Sequence, residues 1–177
     1  HIIDIVINSK VQRPGVCNAL ETLLINSQIY QDMGSLIIEK LLENEVELFV
    51  DETIKEDFPN LNLANESHYE TEFLDLKLAV KVVDSVDQAI EHIKVYSSGH
   101  TEAILTESKE VADTFAKSID SSVIFINSST RFTDGEMFGF GSEIGISTQK
   151  LHVRGPMGLE ALTNERYVVT GEGTVRG

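Results

Sequence analysis

Short apolar runs alternate with segments of helical periodicity along most of the chain, and this alternation constrains the fold more than any other feature. Runs with strand character occupy residues 22–26, 46–50, 76–83, 103–106 and 122–127. Apolar residues spaced three and four apart predict helices over residues 2–12, 30–42, 85–95 and 108–118. Strands and helices that alternate at this spacing are typical of parallel strands with helices packed on both faces. The sequence therefore predicts an α/β fold with an open, mostly parallel sheet.

Three segments depart from this alternation. Residues 51–69 are polar and contain Pro59, so they are predicted to form an excursion on the surface. Residues 128–148 are rich in Gly, Ser and Thr but carry several aromatic side chains, which predicts a long ordered loop. Residues 166–176 predict a terminal strand with a turn, and the exposed edge of such a strand requires a cover.

Charge and cysteine content narrow the class of protein. The chain has 177 residues, enough for one well-buried domain with a small appendage, and its formal net charge is −15. This charge favours solubility and argues against a nucleic-acid partner, because phosphates would be repelled. No apolar run approaches membrane-spanning length, and one cysteine cannot form an internal disulfide, which fits a cytoplasmic protein. Because the chain begins with His1 rather than Met, we expect a piece of a longer protein.

The single cysteine follows a sharp turn. Pro14 fixes its own φ and disfavours a helical Arg13, and Gly15 is expected to adopt a backbone angle that other residues resist. A lone cysteine is most often a small buried hydrophobic residue. Cys17, however, lies just past a turn and near a cation, so the local sequence also fits a thiol presented for reaction.

Three runs of sequence carry a resemblance to a known family. They are residues 12–18, residues 100–106, and the stretch from 127 to 158 that includes Ser-Ser-Thr-Arg-Phe-Thr-Asp-Gly. In this order they closely resemble the gamma-glutamyl phosphate reductases, the proline-biosynthesis branch of the aldehyde dehydrogenase superfamily. The likeness covers nearly the whole chain but only about the C-terminal half of such an enzyme.

The resemblance implies an NADPH-dependent reduction of L-glutamyl 5-phosphate to L-glutamate 5-semialdehyde and phosphate. Cys17 would attack the acyl carbon, phosphate would leave, and the resulting thioester would accept a hydride from NADPH. The backbone amide of Cys17 would provide one donor to the developing oxyanion. A second donor would come from sequence outside this chain.

The resemblance also assigns candidate binding residues. The loop around Arg131 matches the segment that anchors the far end of the substrate, with the hydroxyls of Ser128, Ser129 and Thr133 in the same loop. Glu72 stands where the superfamily has a Glu-x-Phe motif that holds the cofactor ribose, although here Phe73 follows Glu72 directly. Each of these residues also has a structural interpretation, as a surface charge or a turn-stabilising hydroxyl. No spacing of histidines suggests a metal site.

As a domain organisation, the resemblance implies a catalytic domain with the substrate loop over residues 1–160 and an oligomerisation arm over residues 161–177. NADP(H) would be bound mainly by an N-terminal domain outside this chain, so the isolated chain is expected to be inactive. The arm implies a homo-oligomer, and the residues do not distinguish a standalone reductase from one associated with or fused to a glutamate kinase. Two alternatives remain: an acylating or ordinary aldehyde dehydrogenase, against which the 128–134 loop speaks, and a non-catalytic assembly fragment.

Overall fold

The computed structural model of the chain describes residues 1–141, 143–150 and 152–177, and it confirms the alternation of helices and strands. The helices are α1 (Ile2–Val11), α2 (Ser27–Glu43), α3 (Glu52–Asp57), α4 (Glu66–Glu70), α5 (Val86–Tyr96) and α6 (Lys109–Ser118). The strands are β1 (Thr22–Asn26), β2 (Glu47–Val50), β3 (Asn62–Leu63), β4 (Lys77–Val83), β5 (Thr101–Ile104), β6 (Val123–Ile126), β7 (Ile144–Ile146) and β8 (Gly155–Met157). Ser142 of the predicted loop and Leu151 of the 127–158 stretch lie outside the described residues.

The five predicted strands pair in the parallel direction, as expected, but they divide between two sheets. A third, antiparallel pair was not predicted. The main sheet has four parallel strands in the order β1-β4-β2-β3. β4 lies inside it, with Val80 opposite Leu23 of β1 on one side and Val50 of β2 on the other. A second parallel pair joins β5 to β6, and β7 pairs with β8 in the antiparallel direction. Because the strands of the main sheet are parallel, the segments that follow β1, β2 and β4 all leave from the same edge.

Helices cover both faces of the main sheet. Leu78, Ala79 and Val80 follow one another on β4 and are all completely buried. Successive strand residues point to opposite faces, so both faces of β4 must be covered. Ile38 and Leu41 of α2 are also completely buried in the same aliphatic core. The smaller sheet has its own cluster, made by α5 and α6 around Ile90, Phe115 and Ile119.

Side-chain caps set the start of five of the six α-helices in the described residues. The side chains of Asn26, Asp51, Asn65, Ser85 and Ser108 each accept a hydrogen bond from a backbone amide of the first helical turn. Such caps satisfy amides that have no partner inside the helix. The predicted start of α2 at residue 30 was therefore three residues late, because Asn26, the last residue of β1, already caps the helix.

The prediction for residues 51–69 was wrong in part. This segment contains α3, α4 and the short edge strand β3, which pairs with β2. The polar residues that suggested a loop are largely caps: Asp51 accepts from the amide of Ile54, and Asn65 forms a capping box with His68. Ile54 is the one fully buried side chain of α3 and anchors this helix to the main core.

The predicted C-terminal strand is not present within the single chain. Residues 163–177 form no helix or strand with any described residue, and Tyr167, Val168 and Val169 are exposed. A strand requires hydrogen bonds from a neighbouring strand, and no described segment of this chain provides one. Pairing of this segment with a second subunit stays a prediction. No helix within the described ranges has both the length and the apolar character that crossing a membrane requires.

Candidate active site

The segment that carries the thiol is a turn between α1 and β1. Helix α1 ends at Val11, and the next residues form a compact turn in which the amide of Ala19 donates to the carbonyl of Val16 at 3.0 Å. Cys17 lies on this turn and is exposed, so the interpretation of Cys17 as a buried hydrophobic residue does not hold. Its backbone amide donates to no acceptor in the described residues. Both the thiol and the amide are therefore available to a bound molecule.

Gly15 does not have the role that the sequence predicted. Its φ is not positive, so the turn does not depend on a left-handed backbone at this position. Instead Gly15 lies against the neighbouring loop, since a Cβ atom built there would be 3.5 Å from the carbonyl oxygen of Leu74. This contact brings the thiol turn next to the residues that follow Glu72.

A hydrogen bond anchors each end of the thiol turn to the loop after β6. At the start of the turn, the Oε1 atom of Gln12 accepts from Nε of Arg131 at 2.7 Å. At its end, the Nδ2 atom of Asn18 donates to the carbonyl of Thr133 at 2.7 Å, and Asn18 is buried. Residues 12–18 are thus held over residues 131–133 from both sides of Cys17. The Arg131 loop therefore lies next to the thiol turn, as two segments of one substrate site would.

The same loop is bound to α1 and β5 through buried hydroxyl groups. Ser9 on α1 donates from Oγ to Oγ of Ser129 at 3.0 Å and accepts from the amide of Thr130 at 3.3 Å. On the other side, the hydroxyls of Thr101 and Thr133 lie 2.9 Å apart. Ser129 and Thr133 are only 5% and 4% exposed. Their hydroxyls therefore face protein partners in this structure.

Asn127 fixes the point where the loop leaves the small sheet. It has a positive φ of 55°, and its side chain both accepts from the amide of Thr106 at 2.8 Å and donates to the carbonyl of Thr106 at 2.9 Å. Asparagine tolerates this backbone conformation better than most residues. The bonds also explain why β5 ends at Ile104 rather than at the predicted residue 106: Thr106 bonds to a side chain and not to the strand ladder.

Arg131 is partly exposed beside the thiol turn. Burial, followed by the charge of Arg13, lowers the pKa of Arg131, while Asp134 and Cys17 act in the opposite direction. The guanidinium remains charged at neutral pH because the unperturbed pKa of arginine lies far above neutral pH. Its Nη1 and Nη2 atoms donate to no described acceptor, so one edge of the guanidinium is available.

Glu72 lies on an exposed loop that a buried ion pair supports. Lys10, which is completely buried, contacts Glu21 at 3.2 Å between Nζ and Oε2. Glu21 in turn accepts from the amides of Phe73 and Leu74 at 3.2 and 3.3 Å. Burial is the largest effect on both members of the pair, raising the pKa of Glu21 and lowering that of Lys10. The backbone that follows Glu72 is therefore held in place. The carboxylate of Glu72 is exposed, and it forms no hydrogen bond or ion pair with the described residues.

Two shallow depressions flank α1. One, of about 340 Å³, includes Ser128, Ser129, Asn127 and Phe132 in its lining. The other, of about 460 Å³, shares Asp4 and Asn8 with the first and runs along the helix past Gln12. Within the described ranges, no three His, Cys, Asp or Glu side chains are grouped as metal ligands.

The structure brings together most of the residues that the sequence singled out. The thiol turn with Cys17 lies next to the loop that holds Arg131, Ser129 and Thr133. Ser128 lines the 340 Å³ depression beside them. Glu72 lies two residues before Leu74, whose carbonyl borders the thiol turn. Sequence reasoning missed the residues that hold this arrangement, which are Ser9, Gln12, Asn18, Thr101 and Asn127. Gln12 and Asn18 are part of the run that carried the resemblance. A serine on a helix, such as Ser9, gives no signal of its partner 120 residues away.

The chain is similar to known proteins over nearly its entire length. The "Gamma-glutamyl phosphate reductase" of Thermoanaerobacter sp. (strain X514) is 53% identical over 173 residues, which is 98% of this chain but 42% of the relative. The crystal structure of gamma-glutamyl phosphate reductase from Thermotoga maritima superposes with a TM-score of 0.91 and 49% identity, covering 99% of this chain and 42% of that one. The chain thus spans less than half the length of the relatives it matches.

More distant structures share the fold alone. A propionaldehyde dehydrogenase from Clostridium phytofermentans matches with a TM-score of 0.53 at 15% identity, covering 80% of this chain and 40% of that one. No protein-family model matches the sequence.

Proposed function

Because the chain belongs to the gamma-glutamyl phosphate reductase family, we propose that it supplies the nucleophile and the substrate loop of such an enzyme. It covers 42% of the length of the relatives that it matches. The full-length protein would reduce L-glutamyl 5-phosphate to L-glutamate 5-semialdehyde and phosphate in proline biosynthesis. The observation that carries this proposal is the exposed Cys17 on a turn bonded at both ends to the loop of Arg131. Identity to the reductases, at 49–53%, also favours this function over that of another aldehyde dehydrogenase, such as the propionaldehyde dehydrogenase that shares the fold at 15% identity.

Cys17 would act as the nucleophile. Its sulfur, as the thiolate, forms a bond to the acyl carbon, and the bond between that carbon and the phosphate oxygen breaks, with the electron pair leaving on phosphate. The backbone amide of Cys17, which has no described acceptor, is free to donate to the oxygen that becomes negative during this step. Bound NADPH would supply the hydride that reduces the thioester. The thiolate is released when the aldehyde forms, which restores Cys17.

Arg131 would hold the α-carboxylate of the substrate. Gln12 binds its Nε, so the available edge of the guanidinium is oriented by a neutral partner that does not cancel its charge. A guanidinium edge can hold a carboxylate through two parallel hydrogen bonds. Of the three candidate hydroxyls, only that of Ser128 makes no described hydrogen bond. We therefore assign Ser128 to the substrate, and Ser129 and Thr133 to holding the loop.

Glu72 would contact the ribose of the cofactor. A carboxylate accepts hydrogen bonds from ribose hydroxyls, and that of Glu72 is exposed on a loop whose backbone is fixed by Glu21. The loop lies next to the thiol turn, as a cofactor that reduces a thioester on Cys17 requires. We propose that the rest of the NADP(H) site is formed by sequence outside this chain.

The 161–177 arm would pair with a second subunit. Its apolar residues Tyr167, Val168, Val169 and Val175 are 75–93% exposed. Covering them with a strand from another copy would remove an exposed edge. Association with a glutamate kinase would be a property of the full-length protein and concerns none of these contacts.

Replacing Cys17 tests the proposed function. In the full-length protein, Cys17→Ala and Cys17→Ser should abolish reductase activity, since removing a covalent nucleophile costs on the order of 10⁶-fold in kcat in a well-studied hydrolase. Because Cys17 is exposed, both variants should unfold at the wild-type temperature. Turnover of glutamyl phosphate near the wild-type rate by the Cys17→Ala variant would overturn the assignment.

A further inference from the structure

Arg13 is part of the thiol turn and has no carboxylate partner among the described residues, in a chain where carboxylates are abundant. The sequence has 29 Asp and Glu but only 14 Lys and Arg. Seven ion pairs occur among the described residues, and neither Arg13 nor Arg131 belongs to any of them. The side chain of Arg13 makes no described hydrogen bond either, and it is exposed. Two arginines without carboxylate partners at one place concentrate positive charge in an otherwise negative protein.

The geometry places this charge at the start of the thiol turn, on the N-terminal side of Cys17. Gln12, the neighbour of Arg13 in the chain, is bonded to Arg131 at 2.7 Å. The Asn18–Thr133 bond closes the other end of the turn, so Arg13 and Arg131 cannot separate without breaking the turn. Burial, followed by the charge of Arg13, lowers the pKa of Arg131, as expected when the two guanidinium groups lie near each other. The carboxylate of Asp134, which acts on the pKa of Arg131 in the opposite direction, already accepts from the amides of Glu136 and Met137.

A repulsive pair of this kind is stabilised by a bound anion. The substrate that the proposed function assigns has two anionic ends, an α-carboxylate and a phosphate, on either side of the acyl carbon that Cys17 attacks. Arg131 accounts for one of these ends. We infer that Arg13 binds the phosphate group while Arg131 holds the α-carboxylate, so that the two arginines bind the two anionic ends of the substrate. This inference rests on the proposed function for the identity of the ligand.

Arg13 would favour departure of the phosphate. As the carbon–oxygen bond breaks, the electron pair moves onto the phosphate oxygen, and a guanidinium next to that oxygen stabilises the added charge. In the reverse reaction, an oxygen of inorganic phosphate bonds to the acyl carbon of the thioester. The carbon–sulfur bond then breaks, and its electron pair returns to the Cys17 sulfur. Arg13 would hold the incoming phosphate for that step.

The reverse direction separates the two anion sites, because phosphate and the semialdehyde are then different substrates. In the full-length protein, Arg13→Gln should raise the KM for inorganic phosphate about 10- to 100-fold, which is the usual worth of a charge-assisted hydrogen bond. The KM for the semialdehyde should change little. Arg131→Gln should give the opposite pattern. Arg13→Lys keeps the charge and should recover part of the phosphate affinity.

A control variant and a second readout keep the test decisive. Lys109→Gln removes the same charge from a side chain on α6 that is 87% exposed, and it should leave both KM values unchanged. Without cofactor, inorganic phosphate should slow the alkylation of Cys17 by iodoacetate, and this protection should be lost in Arg13→Gln but kept in Lys109→Gln. The inference is wrong if Arg13→Gln leaves both the phosphate KM and the protection unchanged. It is also wrong if the variant changes only the preference for NADP⁺ over NAD⁺, since Arg13 would then bind the cofactor phosphate.

The same measurements separate this inference from the proposed function. Phosphate protection that depends on Arg13, in a full-length protein without reductase activity, would support the anion site and reject the proposed function. Reductase activity with a phosphate KM that does not depend on Arg13 would support the function and reject the anion site.

Discussion

Different interactions hold the core of the main sheet and the junction next to Cys17, where α1 and the thiol turn meet the 128–134 loop. In the core, aliphatic side chains such as Ile38, Leu41 and Leu78 have no exposed surface and make no directed bonds. In the junction, the thiol turn and the 128–134 loop meet through hydrogen bonds between residues 115–121 positions apart. The junction contains Ser9, Asn18 and Ser129 where the core has leucine and isoleucine.

The difference separates stability from the position of the site. Apolar burial contributes roughly in proportion to area and tolerates small shifts of the groups involved. A hydrogen bond is directional, and a buried polar group that loses its partner costs more than the bond contributed. Changes in the core should therefore lower stability with little effect on the chemistry of folded molecules. Changes in the junction should affect that chemistry even when the protein remains folded.

The largest expected effect on stability comes from truncating the core. Leu41→Ala should lower the free energy of unfolding by about 2–5 kcal/mol, the range for buried leucines. Leu42→Ala is the matched control, because its side chain on the same helix is 38% exposed and should cost much less. Urea denaturation of both variants measures the difference. Equal losses would show that α2 does not rely on its buried face.

A smaller loss of stability, with a larger effect on the site, is expected at the junction. Asn18→Ala removes the bond to the carbonyl of Thr133 and should cost about 1–3 kcal/mol. Because the thiol turn is then released from the loop of Arg131, kcat of the folded enzyme should fall by about 10²-fold, the effect of a small misplacement of reacting groups.

The control for Asn18 is an asparagine with only a local role. The side chain of Asn44 donates to the carbonyl of Lys40 at the end of α2, so Asn44→Ala should lower stability modestly without affecting kcat. If Asn18→Ala and Asn44→Ala have the same kcat, the junction does not position the thiol and the contrast with the core fails.

Arg131→Lys should have the smallest effect on stability and a specific effect on binding. The side chain is partly exposed, so the variant should unfold like the wild type. A lysine cannot reproduce two parallel bonds to a carboxylate, and the loss of about 1.5–3 kcal/mol corresponds to a 10- to 100-fold higher KM for glutamyl phosphate. Alkylation of Cys17 should proceed at its normal rate. If Arg131→Lys and Arg131→Ala both keep a wild-type KM, the anchor lies elsewhere, with Ser128 as the next candidate.

The sequence was sufficient to predict the core but not the junction, because the core follows from local apolar periodicity and the junction from contacts between distant segments. Apolar periodicity is local, so Met33, Ile37 and Leu41 revealed a helix and its buried face without knowledge of its partners. The bond from Asn18 to Thr133 depends on how two segments meet in three dimensions, and no periodicity reports it. Family resemblance identified Cys17 and Arg131 as neighbours but gave no role to Ser9 or Asn18.

Two errors in the prediction have physical causes of the same type. Polar residues over 51–69 suggested a loop, but Asp51 and Asn65 are helix caps. Side chains of this type accept hydrogen bonds from backbone amides both in turns and at helix starts. The β-prone residues 166–170 suggested a strand, but strand formation depends on a partner that the single chain does not provide within its described residues. In both cases the local sequence was compatible with two structures and the surroundings decided between them.

The most direct test of the central claim is whether Cys17 carries the acyl group during the reaction. Full-length protein mixed with glutamyl phosphate, without NADPH, should release one equivalent of phosphate per site and gain the mass of a glutamyl group on the peptide that contains Cys17. Adding NADPH should remove that mass and yield the semialdehyde. Phosphate release that requires NADPH, or an acyl group found on any residue other than Cys17, would contradict the account.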